Sequence, residues 1–173
     1  MPGSGKSTIV SALKTRGFEA LNLGDGVRAE AKRRNLEPSG DNLGKLMLEL
    51  REKNGPGAIA ELLTEPIKNS QSKVIIIDGV RSIAEIEVLK NVGSVKLLSI
   101  EATADARYKF LSSRGRSDDP ATREKFEERD NRELGVGIGE SIAIADETIS
   151  NSDVTLDELT ELASKTIEKW IDT

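Results

Sequence analysis

The chain opens Met1-Pro2-Gly3-Ser4-Gly5-Lys6-Ser7-Thr8, a stretch whose residue types suit one task, the holding of phosphate. Gly3 and Gly5 permit close backbone approach, and consecutive N–H groups from Gly3 to Ser7 converge on phosphate oxygens at the positive end of the helix that starts there. Lys6 would bridge the β- and γ-phosphates, the Ser7 hydroxyl would ligate Mg²⁺, and Ser4 and Thr8 complete the nucleotide-binding set. In the pattern G-x-x-x-x-G-K-[ST], Gly5, Lys6 and Ser7 fill the last three places, while the first Gly falls one residue before Met1. A plain Gly-rich turn is the competing reading. The helical pattern that follows at once disfavours it, so triphosphate binding is the strongest inference from the residues.

A second acid stands at the end of Lys73-Val-Ile-Ile-Ile-Asp78, a β-branched run followed by Gly79. Asp78 has the context of a Walker B carboxylate that orders a Mg²⁺ shell, against the alternative of a solvated Asp-Gly turn. Arg81, three positions on, falls at the carboxyl edge of a sheet, where a guanidinium holds a second phosphate in bidentate fashion.

Positive charge is unevenly spread. Six of the twelve arginines lie between Arg107 and Arg132, whereas only Lys165 and Lys169 are basic from Leu134 onward. Arg114 and Arg116 on a polar loop, with Arg129 and Arg132 one helical turn apart, suit a site that closes over the charge developed in phosphoryl transfer. Ion pairing with Asp118, Asp119, Glu124, Glu127 and Glu128 is the plain alternative for any one of them. Asp119-Pro120 reads as an N-cap with a first-turn proline.

A net charge of -5 argues against broad nucleic-acid binding. With no Cys and no His, thiolate and imidazole chemistry are excluded, and Lys, Arg, Asp, Glu and hydroxyls must do the work. No apolar run is long enough to span a membrane and no export signal is present, so a cytoplasmic protein is expected.

The elements that must position these residues alternate between strand and helix, which predicts an α/β fold with a parallel sheet covered by helices. Helices are expected at about 7–15, 26–35, 41–53, 57–69, 82–91, 104–113, 121–133, 138–145 and 156–171. Strands are expected at 18–23, 73–78, 95–100 and 148–151, with 73–78 buried on both faces. In a phosphate-loop fold the strand before the loop is central, and no residues here supply it. Its loss would cost on the order of 5–15 kcal/mol, the whole stability of a domain. The natural protein is therefore expected to begin upstream, with a short apolar strand and a Gly.

The pieces form a set. "GDGVR" (Gly24 to Arg28) resembles the acceptor segment of nucleoside monophosphate kinases, "DGVR" (Asp78 to Arg81) their second acceptor-phosphate motif, and "RGRSDDP" (Arg114 to Pro120) their lid. With "ERDNRELGVGIGE" and Ala143-Ile144-Ala145-Asp146, the chain is similar nearly end to end to archaeal adenylate-kinase-related, dephospho-CoA-kinase-like proteins. The resemblance implies a P-loop NTPase fold of nucleotide kinase type, a three-layer α/β/α domain with strand order 2-3-1-4-5, its first strand missing or truncated here. It implies one domain, with core 1–24, 73–112 and 134–173, an acceptor-binding helical insert about 25–70 and a lid about 113–133. Arg28, Arg51 and Arg81 would then meet the acceptor, although solvent exposure is the alternative for Arg28 and Arg51. The lid is too short for a zinc or hairpin lid, and the lack of Cys excludes zinc.

The implied function is an ATP- and Mg²⁺-dependent phosphotransferase whose partners are a nucleoside triphosphate and a small phosphorylated acceptor. A nucleoside monophosphate already carries an anionic nucleophile. A hydroxyl acceptor such as dephospho-CoA needs a base, for which Asp25 is the placed candidate unless it caps the next helix. A regulatory or assembly ATPase is the alternative from another class. Few aromatic residues are available for stacking on single-stranded RNA, and the arginine pair Arg28 and Arg81 favours the kinase.

Overall fold

A computed structural model of the chain describes residues 1–116, 119–152 and 154–172. In chain order the elements are α1 (Lys6–Thr15), β1 (Glu19–Asn22), α2 (Leu23–Arg33), α3 (Gly40–Asn54), α4 (Ala58–Asn69), β2 (Ile75–Asp78) and α5 (Ile83–Lys90). These are followed by β3 (Leu98–Glu101), α6 (Ala104–Arg114), α7 (Arg123–Val136), α8 (Ile138–Ala143), β4 (Glu147–Ser150) and α9 (Leu156–Ile171). Helix starts are set by side chains that accept orphan N–H groups: Ser39, Ser82, Thr103, Thr122 and Thr155 each bond the backbone N–H three residues on.

Two expectations about caps are corrected. α2 begins at Leu23, because the Asn22 carbonyl oxygen of the side chain accepts from the backbone of Gly24 and Asp25, so Asp25 lies in the first turn rather than at the cap. α7 begins at Arg123 under Thr122, so Asp119 is not its cap. A hydroxyl nearer the helical pattern outcompetes the Asp-Pro pair.

The strands form two parallel pairs, β1 with β2 and β3 with β4. These are the outer pairs of the order 2-3-1-4-5, and no described residue forms the strand between them. The isoleucines of β2 are accordingly half-buried rather than covered on both faces as expected, since among the described residues β2 pairs only with β1. The register sets Asn22 beside Asp78 at the carboxyl ends of β1 and β2, the edge at which open parallel sheets receive ligands.

Two apolar clusters hold these edges in place. One joins Ile9 and Leu13 of α1 to Ile100 of β3, Ile149 of β4, and Leu159 and Ala163 of α9, with Ile76 of β2 packed against it. The other joins α2, α3 and α4 through Leu23, Val27, Leu46, Leu50, Ile59 and Leu63, and reaches Leu89 of α5 and Ile77 of β2. The helical segment between β1 and β2 is thus anchored to the sheet edge that carries Asp78. A third contact pins α7 to α6: Phe126 is buried, its ring meets Tyr108 edge-on at 5.5 Å, and the Arg107 guanidinium lies 4.9 Å from its centroid.

Candidate functional site

The loop from Pro2 to Gly5 runs into α1, whose N-cap is Gly5. Gly3 has φ 81°, and a Cβ there would stand 2.8 Å from the Arg107 carbonyl oxygen, so no other residue fits without moving α6. Arg107 secures the same loop by donating to the Pro2 carbonyl at 3.1 Å and holding Asp130 through both Nη atoms at 2.9 and 2.5 Å. It is committed to bracing the loop against α7.

Lys6 donates to the Met1 carbonyl at 2.6 Å and the Ser4 hydroxyl at 3.2 Å. Burial draws its pKa below the ordinary lysine value; Asp78 and Glu133 oppose the shift and Arg81 adds to it. Ser7 donates its hydroxyl to Asp78 Oδ2 at 3.1 Å, and the Asn22 amide donates to the same oxygen at 2.9 Å. Asp78 is 7% exposed. The donor set fits Mg²⁺, which takes hard oxygens and is commonly held by one or two carboxylates together with substrate phosphates. Ser7 and Asp78 would hold it.

These groups floor a cavity of about 320 Å³. Around it stand Lys6, Arg28, Arg81, Arg114, Arg116, Arg129 and Arg132, and the carboxylates on its described lining are Asp78 and Glu133. A cavity so lined concentrates anions. The structure therefore brings together the Gly3–Ser7 loop, Asp78, Arg28 and Arg81, expected to meet an acceptor, and Arg114, Arg116, Arg129 and Arg132, expected in a lid.

Each arginine is held differently. Arg28 pairs with Asp25 at 2.9 Å. Arg81 pairs through Nε with Glu133 at 2.5 Å and donates Nη1 to the Gly79 carbonyl at 2.8 Å. Burial works against the Arg81 charge, but Glu133, Glu85 and Asp78 hold its pKa above the ordinary value. Arg114 grips Asp119 through Nε at 3.1 Å and through Nη2, and the Arg116 backbone N–H donates to the same carboxylate at 2.8 Å. Despite partial burial, Arg114 keeps Asp119 below the usual carboxylate range. Asp119 thereby joins the end of α6 at Arg114 to the Arg116 backbone. Arg123 pairs with Asp105 and Glu127, while Ser117 and Asp118 lie outside the described residues.

Two residues singled out by the sequence pattern stand apart from this cavity. Arg51 does not line it; its Nη2 is bound to Glu85 Oε1 at 2.6 Å, both side chains being enclosed. Asp25 is exposed and borders a shallower hollow shared with Ser7, Asn22, Arg28, Asp78 and Arg116.

Three residues of the site are not marked by the sequence motifs: Asn22, Glu85 and Glu133. Asn22 precedes a helical pattern, which is an N-cap signal. Ser82-Ile83-Ala84-Glu85 has capping-box spacing, and the Glu85 carboxylate does turn back, accepting from the Arg81 N–H at 2.7 Å as well as from Arg51. Glu133 sits in a charge-rich helix with nothing in its neighbours to mark it as buried.

Known proteins align with this arrangement. Residues 1–127 match a family described as an AAA domain. A UPF0200 protein of Pyrococcus abyssi is 41% identical over 158 residues, covering 88% of this chain and 84% of its own length. A UPF0200 protein of Methanothrix thermoacetophila is 42% identical over 173 residues, covering 98% and 93%. The crystal structure of shikimate kinase from Bacteroides thetaiotaomicron superposes with a TM-score of 0.60 at 13% identity, over 96% of this chain and 93% of that one. That likeness shows the fold, that of a P-loop NTPase. Among the described residues no helix is long and apolar enough to cross a membrane.

Proposed function

This chain belongs to the UPF0200 family of P-loop, nucleotide-kinase-like proteins, and from that premise we propose that it is an ATP- and Mg²⁺-dependent phosphotransferase whose acceptor is a nucleoside monophosphate. One observation carries the choice of acceptor. The cavity is ringed by guanidinium groups, while both carboxylates on its described lining are already engaged, Asp78 by Ser7 and Asn22 and Glu133 by Arg81. A hydroxyl nucleophile needs a free base there; a phosphate oxygen needs none.

The residues then divide the work. The loop from Gly3 to Thr8 wraps the donor's phosphates, with Lys6 at the β- and γ-oxygens. Bound Mg²⁺ would neutralise charge on those oxygens, held by Ser7 and, through its shell, by Asp78. Arg28 and Arg81 face the acceptor phosphate. Arg114, Arg116 and Arg129 supply positive charge as the γ-phosphoryl group moves. An acceptor phosphate oxygen forms the new P–O bond, the bond to the β-phosphate bridging oxygen breaks, and ADP leaves with the electron pair. No proton is removed. A cytoplasmic location, where such nucleotides are kept, accords with this reaction.

A second reading has its own observation: Asp25 borders the shallower hollow beside Ser7 and Asp78, where it would serve as base for a hydroxyl acceptor of dephospho-CoA type. The test measures ADP release and labelled product with ATP, Mg²⁺ and a panel of nucleoside monophosphates and dephospho-CoA, with Lys6→Ala as control. Stimulation and product formation with a monophosphate, little changed in Asp25→Asn, supports the first reading. Transfer to dephospho-CoA, abolished by Asp25→Asn, replaces it with the second. Slow hydrolysis that only a macromolecule accelerates would mark a regulatory ATPase and overturn both.

A further inference from the structure

The wall of the arginine-ringed cavity contributed by α2 and α3 differs from the rest. Its side chains are Val27, Leu43 and Met47 together with Arg28, and Gly24, Gly40 and Gly44 add backbone. Among the described residues of α2 and α3 that line the cavity, none is Ser, Thr, Asn, Gln, Asp or Glu. The wall has no side-chain acceptor, and its side-chain donors belong to Arg28, which is drawn toward Asp25.

Lying on this wall is Arg132 of α7. A Cβ built on Gly44 would lie 2.7 Å from its Nη1, 2.9 Å from Cζ and 3.2 Å from Nε. Three atoms of the guanidinium plane at nearly equal distance from one point mean that the group lies flat across α3 at Gly44. Only a residue without a side chain permits this. Arg132 Nε is buried with no hydrogen-bond partner among the described residues. A flat, delocalised cation held face-on and not fully bonded in its plane is suited to stacking on an aromatic ring.

We propose that this wall receives the base of the acceptor, stacked on Arg132 and packed against Val27, Leu43 and Met47, and that it accepts any of the common bases rather than reading one. The inference rests on the nucleoside monophosphate reading above and extends it to substrate breadth. Discrimination by hydrogen bonding is strong because the wrong partner leaves buried polar groups unpaired, whereas an apolar pocket separates similar ligands by only about 10–200-fold. Every base offers a π-face, so stacking is tolerant of identity. Met47 adds to the tolerance, since its flexible thioether refits to different outlines.

The test compares AMP, GMP, CMP and UMP as acceptors by kcat/KM, and measures by calorimetry the affinity of each and of ribose 5-phosphate, which lacks a base. Both are repeated in Arg132→Lys, which keeps the charge but not the plane. The four nucleotides are expected within about 200-fold of one another. Arg132→Lys is expected to weaken all four by about tenfold or more, with a much smaller loss for ribose 5-phosphate. A preference for one base beyond about 10⁴-fold, the range of hydrogen-bonded readout, overturns the proposal while leaving the kinase reading intact. So does an equal loss for ribose 5-phosphate, which would make Arg132 a simple phosphate contact. Failure of every monophosphate to bind or be phosphorylated overturns the kinase reading and this inference together.

Discussion

Ser7 donates its hydroxyl hydrogen to Asp78 across 3.1 Å, tying the first turn of α1 to the last residue of β2. The two oxygens proposed to hold Mg²⁺ are therefore in direct hydrogen-bond contact. Asp78→Asn replaces the acceptor with a neutral amide and removes the charge. The apparent affinity for Mg²⁺ in ATP turnover is expected to fall about 10–100-fold, the usual loss when a metal site's supporting carboxylate goes. A Mg²⁺ titration at saturating ATP checks it; an unchanged curve would remove Asp78 from the metal site.

Asn22 holds two structures at once. Its amide donates to Asp78 at 2.9 Å and its side-chain oxygen accepts from Gly24 N–H at 2.7 Å, capping α2. Asn22→Ala is expected to cost about 1 kcal/mol as a lost cap, with a further loss from the unbonded Asp78 oxygen. Denaturant unfolding reads the first effect. The Mg²⁺ titration reads the second, and it should move in the same direction as in Asp78→Asn.

Arg51 and Glu85 form a pair whose side chains are 10% and 0% exposed. Removing one member leaves an uncompensated buried charge, so Glu85→Gln and Arg51→Met are each expected to cost about 3–5 kcal/mol. The double variant Arg51→Met with Glu85→Gln should cost less than the sum of the single losses, because neither charge is left behind. Chemical unfolding of the three variants tests the coupling; simple additivity would show that the two side chains act separately.

Lys6 predicts a divergence with pH. Its pKa lies below the ordinary 10.5, burial being the leading cause. Between the lowered folded value and 10.5 the unfolded chain binds more protons at this group, so its contribution to stability rises as pH climbs through that window. Nucleotide affinity should move the other way, because the ammonium that meets the phosphates is lost over the same range. Calorimetric ATP titrations and thermal unfolding across alkaline pH are the measurements. Lys6→Arg, which keeps its proton, should flatten both dependences.

Local chemistry makes much of this legible. Ser82 and the Thr155–Glu158 pair mark the starts of α5 and α9, the isoleucine run marks β2, and Gly-Lys-Ser-Thr marks the loop. What stays hidden depends on distant partners. Nothing near Glu133 announces that it is 2% exposed against Arg81. Arg51 reads as a phosphate ligand in the sequence because its pairing with Glu85 requires α3 and α5 to be packed together first. Asp119 reads as a cap because Asp-Pro is a strong local signal, and its engagement by Arg114 is visible only when the loop is folded.

Arg107 spans three parts of the molecule, with its backbone under Gly3, its guanidinium on the Pro2 carbonyl and the same group on Asp130 of α7. The cradle for the donor and the arm that carries Arg129 and Arg132 consequently share one fulcrum. Loosening that one anchor would therefore disturb the glycine bend and the placement of Arg129 and Arg132 together.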